Sequence, residues 1–235
     1  MGFLATIKGN RAYAKHAKGD LEGARKDYDE AYAAGLNAPK LLLTYSMLLL
    51  RTGAYETAVE VLRKAEKAPG LTTDQKNQVH AHYAVAIWKL GKLDRALELL
   101  REVFRKQKSG LTYGTLGFLL VEQGDAEEAL AFNSEAVAYD DEDAVFLDNL
   151  AQTYYRLLQD KETARGYFEK ALKIKPGAID TNYFLAQYDV EEGKLDEAIA
   201  KLQTASEGRF SPLNYADREK VLAELEALRA RAGQA

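Results

Sequence analysis

Small and large residues recur along this chain with the period of an α-helix. In the clearest copy, Ala164 is followed four residues later by Phe168 and three residues after that by Ala171. The i, i+4, i+7 spacing places such side chains on one face of a helix. The same phase recurs from six alanines, Ala24, Ala58, Ala96, Ala129, Ala164 and Ala198. The pattern therefore predicts six helices of one kind, each ready to accept a closely packed neighbour.

A second set of small residues precedes these alanines: Ala12, Ser46, Ala84, Gly117, Ala151 and Ala186. Each lies 12 residues before its alanine, except Ala151, which lies 13 residues before Ala164. In five copies a glycine lies five residues before the alanine: Gly19, Gly53, Gly91, Gly124 and Gly193. Glycine commonly follows the last turn of a helix. Each copy thus predicts two helices joined by a turn, with 33 to 38 residues between successive alanines.

This alternation resembles the tetratricopeptide repeat (TPR) family. Its signature is a Leu-Gly or Leu-Ala pair and a tyrosine in the first helix, a turn glycine, then two small residues around a large one in the second. The fifth copy matches with Leu150-Ala151, Tyr154, Ala164, Phe168, Ala171 and Pro176. The resemblance implies an all-α fold, a right-handed superhelical solenoid of antiparallel helix pairs. It implies six repeats within residues 1–212, at about 5–38, 39–76, 77–109, 110–143, 144–178 and 179–212.

Three departures from the repeat locate irregular structure. Four extra residues precede the third copy, where Pro69-Gly70 predicts a loop and Thr72 begins a new N-terminal cap. The fifth copy has Gln159-Asp160 in place of the turn glycine and gains one residue. The first copy carries Arg11 and Lys15 where apolar residues usually lie, as expected for a terminal repeat that faces water.

Beyond Ser211-Pro212 the chain predicts one more amphipathic helix, within residues 213–235. Its apolar side is predicted to carry Val221, Leu222, Leu225 and Leu228. The last repeat of a solenoid would otherwise expose its apolar flank, so this helix is expected to cap it. The alternative is an interaction arm for another protein.

The charge balance excludes one class of partner. A formal net charge of −4 and a pI near 5.6 do not provide the basic surface that nucleic-acid binding requires. Cysteine is absent, and no apolar run is long enough to cross a bilayer. We therefore expect a cytoplasmic protein without a membrane span. Residues 1–6 fit the loose N-myristoylation pattern, but so short a pattern arises easily by chance, and we expect instead that Phe3, Leu4 and Ile7 pack against the first repeat.

No catalytic constellation is evident. His80 and His82 are two residues apart, so they point to different faces of a helix and cannot share a metal. The acidic run from Asp140 to Asp143 lacks the ligand spacing of a calcium loop, and we expect it to cap the first helix of the fifth repeat. The sequence predicts no enzyme activity, no cofactor and no metal.

In TPR proteins the first helix of each repeat lines the concave surface, where ligand segments dock. Carried over by register, the resemblance implies a peptide-binding groove formed by ten residues: Tyr13, Met47, Leu50, Val85, Trp88, Phe118, Gln152, Tyr155, Tyr183 and Gln187. The expected apolar anchor site lies near Met47, Trp88 and Phe118. The alternative for each residue is that it belongs to the core between repeats.

The predicted function is a non-catalytic scaffold or adaptor that binds a protein, as a peptide or helical segment with an apolar anchor. The alternative is a self-assembling structural module, or a regulatory or assembly subunit of a larger complex. We expect a monomer, with a homodimer as the other possibility.

Overall fold

The computed structural model describes residues 2–233, which contain thirteen α-helices and no strand. The predicted all-α fold is therefore confirmed. The chain divides into two compact units, residues 1–112 and 113–235. The helices of the first unit are α1 (Gly2–Ala17), α2 (Leu21–Ala33), α3 (Pro39–Arg51), α4 (Tyr55–Glu66), α5 (Thr73–Lys89) and α6 (Leu93–Lys106). Helix α7 (Gly110–Gln123) begins in the first unit and continues into the second.

The second unit continues with α8 (Ala126–Tyr139), α9 (Ala144–Gln152), α10 (Lys161–Ile174), α11 (Ile179–Glu191), α12 (Leu195–Ser206) and α13 (Arg218–Ala232). A π-helical segment, Thr153–Leu158, continues α9. In the first unit α1 packs on α2, α3 on α4 and α5 on α6, and in the second unit α9 packs on α10 and α11 on α12.

The small residues of the repeat allow this close packing. All six alanines that begin the second-helix pattern are completely buried, and so are Ala12, Ser46, Ala84, Ala151 and Ala186 of the first helices. Large residues fill the spaces beside them. Tyr28 of α2 stacks on Tyr45 of α3 with ring centroids 5.0 Å apart, and Phe168 of α10 stacks on Phe184 of α11 at the same distance.

The turn between paired helices has the backbone that the glycines predict. Gly19, Gly53, Gly91, Gly124 and Gly193 all have positive φ angles, between 74° and 88°. In the fifth pair Gln159 takes this left-handed conformation with φ of 58°. It is the only described non-glycine residue with positive φ. The fifth turn therefore has the same left-handed backbone conformation as the others, although it contains no glycine.

The extra residue of the fifth repeat lies in the π-helical segment Thr153–Leu158. Each π turn holds one residue more than an α turn, so the insertion is absorbed without moving α9 or α10 out of register. The predicted caps are also present. Thr72 and Gln75 form a reciprocal capping box at the start of α5, and the Asp143 side chain accepts a hydrogen bond from the Val145 amide at the start of α9.

The two cations of the first repeat have a partner that the sequence analysis missed. Arg11 and Lys15 do not simply face water, because both pair with the carboxylate of Asp27 on α2, which is 2% exposed. Arg11 donates through two nitrogens, at 2.7 and 2.6 Å. The hydrogen bond from Arg11, reinforced by Lys15, lowers the pKa of Asp27 to about 2.

Two expectations about the ends of the chain were wrong. Phe3, Leu4 and Ile7 do not pack against the first repeat, since they are 81%, 65% and 50% exposed. On α13, Val221 and Leu225 are buried as predicted, but Leu222 is 39% exposed and does not join them. Leu222 lies one residue, or about 100°, around the helix from Val221, which turns it away from α12.

Candidate functional site

The candidate site is formed by the side chains that follow the small residues of the first helices. In the first unit these are Tyr13 on α1, Met47 on α3 and Val85 on α5. Each small residue faces the partner helix, so the next residue lies about 100° around the helix axis. Tyr13 is 40% exposed and Met47 is 44% exposed, whereas Val85 is buried. Two large side chains therefore lie open at equivalent positions of neighbouring repeats.

The other residues predicted in this unit differ in exposure. Leu50 of α3 is buried. Trp88 of α5 is partly exposed, and the Lys89 ammonium lies 4.0 Å from the centroid of its ring. The Lys40 ammonium lies 5.0 Å from the centroid of the Tyr13 ring. The rings of Tyr13 and Trp88 thus each form a cation–π contact with a lysine of the chain itself.

Below this surface, His82 of α5 lies 3.1 Å, through Nδ1, from the hydroxyl of the completely buried Ser46 of α3. Burial lowers the pKa of His82 to about 4, so its imidazole is neutral at physiological pH. The pair connects α3 to α5. His80 points elsewhere, with Nε2 at 3.5 Å from a carboxylate oxygen of Glu66, which agrees with the prediction that the two histidines occupy different faces.

In the second unit most of the predicted site residues are interior. Phe118 and Tyr183 are 3% and 7% exposed. Gln152 is 1% exposed, and its side-chain amide makes two hydrogen bonds. It donates to Asp148 at 2.8 Å and accepts from Arg156 at 3.0 Å. These residues support the surface rather than extend from it.

Tyr155 and Gln187 are partly exposed. The Tyr155 ring packs against Phe184 with centroids 5.0 Å apart, and the Gln187 amide donates to Glu224 of α13 at 2.6 Å. The contact to Glu224 shows that α13 continues the face formed by α11. The amide groups of Gln152 and Gln187 are thus both hydrogen-bonded to other side chains of this unit.

Sequence reasoning missed a buried acidic residue at the start of α11. The Asp180 carboxylate accepts the backbone amides of Tyr215 and Ala216, at 3.0 and 3.1 Å, and the side-chain amide of Asn214 at 3.2 Å. Burial and the nearby Asp148 carboxylate raise the pKa of Asp180 to about 7. Asp180 thereby fixes the segment that leads into α13. No sequence pattern indicates this, because the donors are mainly backbone groups about 35 residues away.

The described residues contain no group of three or more histidine or acidic side chains arranged to hold a metal ion. Within residues 2–233 no helix is both long and apolar enough to cross a membrane. In each unit, taken by itself, the residues predicted for the site are apolar, aromatic or amide side chains.

The sequence matches models of a single protein family in three places. Sequence models of the tetratricopeptide repeat match residues 10–71, 47–141 and 144–177. A search among curated proteins gave no match.

Solved structures are similar along most of the chain. A tetratricopeptide repeat protein from Parabacteroides merdae superimposes with a TM-score of 0.74 at 12% identity, over 96% of this chain and 84% of that one. A thermophilic TPR protein from Thermus thermophilus gives 0.64 at 20% identity, over 82% of this chain and all of that one. Yeast Tom70 gives 0.62 at 18% identity, over 97% of this chain and 54% of that one. At these identities the similarity establishes the fold.

Proposed function

Since this chain belongs to the tetratricopeptide repeat family, we propose that it is a non-catalytic scaffold that binds a segment of another protein. The segment docks on the first helices of the first unit, α1, α3 and α5. It is a peptide or a helix that inserts an apolar side chain between the exposed residues of neighbouring repeats.

One observation carries this proposal, namely the exposure of Tyr13 and Met47. Beside Met47 on α3, the large apolar side chains of Leu43 and Leu50 are buried, so Met47 stands out as the open one. Large apolar side chains that remain open on a packed helix are suited to anchor a partner. Methionine adapts its shape to different apolar groups, and tyrosine adds a hydroxyl that can bond the partner's main chain.

The exposed fractions of Trp88 and Phe118 change the position that we propose for the apolar anchor. Trp88 is partly exposed on the following first helix, α5, and can form its third side. Phe118 is buried and supports the fold instead. The proposed anchor therefore lies among Tyr13, Met47 and Trp88, nearer the N-terminus than expected from the register alone.

Affinity capture from a lysate tests this function. The double variant Tyr13→Ala/Met47→Ala is compared with wild type and with Ile174→Ala, which removes an apolar side chain of similar exposure, 46%, from a second helix. We expect proteins retained by wild type and by Ile174→Ala to be lost from the double variant. Equal retention by all three proteins contradicts docking on the first helices.

A second candidate is self-association, favoured by the exposure of Phe3 and Leu4 on α1. A second copy could cover these side chains. Sedimentation velocity over a range of concentrations distinguishes this function, with Phe3→Glu expected to abolish any dimer. A monomer at all concentrations removes it.

A further inference from the structure

The acidic and basic residues of the chain are unevenly distributed. The segment from Tyr113 to Tyr155 holds ten of the 36 acidic side chains and none of the 32 lysines and arginines. The segment comprises most of α7, all of α8 and α9, and the start of the π-helical segment. The side chains of this segment therefore contribute only negative charge, while the nearest cations come from outside it, with Arg156 paired to Glu122 and the Lys170 ammonium 5.2 Å from the centroid of the Tyr167 ring.

An open cleft of about 460 Å³ lies at this acidic surface, between α8 and α10. Its walls are formed by Ser134, Val137, Ala138, Asp141, Leu150 and Tyr167. The walls combine apolar groups with two hydroxyls and one carboxylate. The Tyr167 ring is held in place by stacking on Tyr154, with centroids 5.8 Å apart.

At the equivalent positions of the first unit, side chains of neighbouring repeats contact each other. Arg63 lies five residues after Ala58, as Ser134 lies five after Ala129. The Arg63 guanidinium reaches the next repeat, where it donates to the Tyr83 hydroxyl at 3.3 Å and lies 5.9 Å from that ring's centroid. In the second unit both partners are missing, because Ser134 is short and Leu150 takes the place of the tyrosine.

The first repeat makes a related contact. Asp29, five residues after Ala24, accepts a hydrogen bond from the hydroxyl of Tyr45. At both positions of the first unit a long or charged side chain of the second helix thus contacts the tyrosine of the next repeat. Between α8 and α10 the short side chains of Ser134 and Ala138 leave this space open.

We propose that this cleft is a second docking site, separate from the first-helix surface, which takes an arginine side chain from a basic segment of a partner protein. The methylene stem packs on Val137, Ala138 and Leu150, as arginine stems do on apolar surfaces. The guanidinium finds its counter-ion in the carboxylate of Asp141 and additional acceptors in the hydroxyls of Ser134 and Tyr167. The surrounding acidic surface attracts the rest of the basic segment.

Fluorescence anisotropy with a short fluorescein-labelled peptide of alternating arginine and alanine tests the proposal at physiological ionic strength. The same peptide with lysine in place of arginine measures recognition of the guanidinium. We expect the arginine peptide to bind at least about fivefold more tightly, because only arginine presents a planar fork of donors. Equal binding of both peptides, or no binding, overturns the proposal.

Two variants locate the binding. Asp141→Asn is expected to weaken the arginine peptide by at least about fivefold. Glu142→Gln removes the adjacent charge, which lies outside the cleft walls, and is expected to change affinity by less than about twofold. Equal losses from both variants mean that the acidic surface attracts the peptide without the cleft, and they overturn the proposal.

A third variant, Ser134→Arg, gives the second unit the residue type found at Arg63. Ser134 is exposed, so the protein is expected to fold, and the new side chain should occupy the cleft and weaken binding by about tenfold. Undiminished binding by this variant contradicts the cleft as the site. Circular dichroism checks its folding, and if it unfolds, the comparison of Asp141→Asn with Glu142→Gln decides. Met47→Ala should leave the affinity unchanged, which separates this site from the first-helix surface.

Discussion

Asn133 of α8 donates a hydrogen bond of 3.1 Å to the hydroxyl of Thr153, the first residue of the π-helical segment. The same amide donates to the Gly117 carbonyl at 3.3 Å. Asn133 is completely buried at a position where the other repeats have tyrosine, leucine or phenylalanine. This polar residue therefore connects α7 and α8 with the irregular end of α9. The fourth repeat, which has this asparagine in its core, thus contacts the fifth repeat at the π-helical segment.

The first prediction follows from the contact of Asn133 with Gly117. A Cβ added at Gly117 would lie 2.2 Å from the Asn133 amide oxygen, so alanine cannot fit although other repeats carry it here. We expect Gly117→Ala to lower the free energy of unfolding by about 1–3 kcal/mol. In an Asn133→Ala background the same change should cost less than about 1 kcal/mol, because the obstructing oxygen is gone.

Urea unfolding followed by circular dichroism measures this cycle. Gly166→Ala on α10 is the matched control, since nothing lies within 4 Å of its added Cβ. It should stabilise the protein by about 0.5–1 kcal/mol through helix propensity. An equal cost of Gly117→Ala in both backgrounds would show that Asn133 is not the obstacle.

The second prediction concerns acid stability of the first unit. The pKa of Asp27 is about 2 in the folded protein and about 3.8 without its partners. Its contribution is therefore present above pH 4 and is lost as the pH falls from about 4 to 2. We expect Asp27→Asn to unfold at lower temperature near neutral pH and to lose less stability than wild type across that range.

Trp88, the chain's only tryptophan, reports unfolding of this unit by fluorescence. Glu60→Gln, an exposed acid on α4, is the control and should keep the wild-type pH dependence. A parallel loss of stability in wild type and Asp27→Asn between pH 4 and 2 contradicts the account of Asp27.

His82 gives the third prediction, in a different pH range. Its pKa is lowered from 6.5 to about 4, so the unfolded chain binds more protons than the folded protein between these values. The contribution of His82 to the free energy of unfolding should therefore fall as the pH falls from 6.5 to 4, by up to about 3 kcal/mol. His82→Gln should remove this slope, measured by Trp88 fluorescence in urea.

His80→Gln serves as the control because it removes the neighbouring imidazole and keeps His82. The comparison is made between variants, since Asp180 has a raised pKa and its contribution changes with the opposite sign throughout the same range. An unchanged slope in His82→Gln would assign the pH dependence to other groups.

The fourth prediction separates supporting residues from surface residues of the candidate site. Phe118 is 3% exposed, so Phe118→Ala should cost about 3–5 kcal/mol of stability. Met47 is 44% exposed, and Met47→Ala should cost less than about 1 kcal/mol. Chemical unfolding of the two variants checks the distinction. A large loss in Met47→Ala would place its side chain in the core and remove it from the site.

Much of the fold follows from the sequence because the repeat presents the same packing problem six times. A small residue such as Ala24 or Ala58 is required wherever two helices approach closely, and a glycine wherever the turn needs positive φ. The π-helical segment could be located from the extra residue before Ala164, but not its geometry. An insertion can enlarge a loop or a helix turn at similar energy, and the choice depends on packing around Thr153.

The candidate site was less predictable. Register assigns Met47, Val85 and Phe118 to equivalent positions, yet only Met47 is exposed. Exposure depends on how large the neighbouring side chains are and how closely successive repeats approach, which periodicity does not specify. The pairing of Arg11 with Asp27 was missed for a similar reason. A buried acid on the second helix is recognisable only once the two helices are placed together.

Photo-crosslinking tests the central claim, that the first helices of the first unit bind a partner segment, most directly. A photo-crosslinking amino acid is placed at Met47, and in a separate protein at Ile174, which has similar exposure on a second helix. The account predicts that a partner polypeptide crosslinks from position 47 and not from position 174. Crosslinking only from position 174, or equally from both, would contradict it.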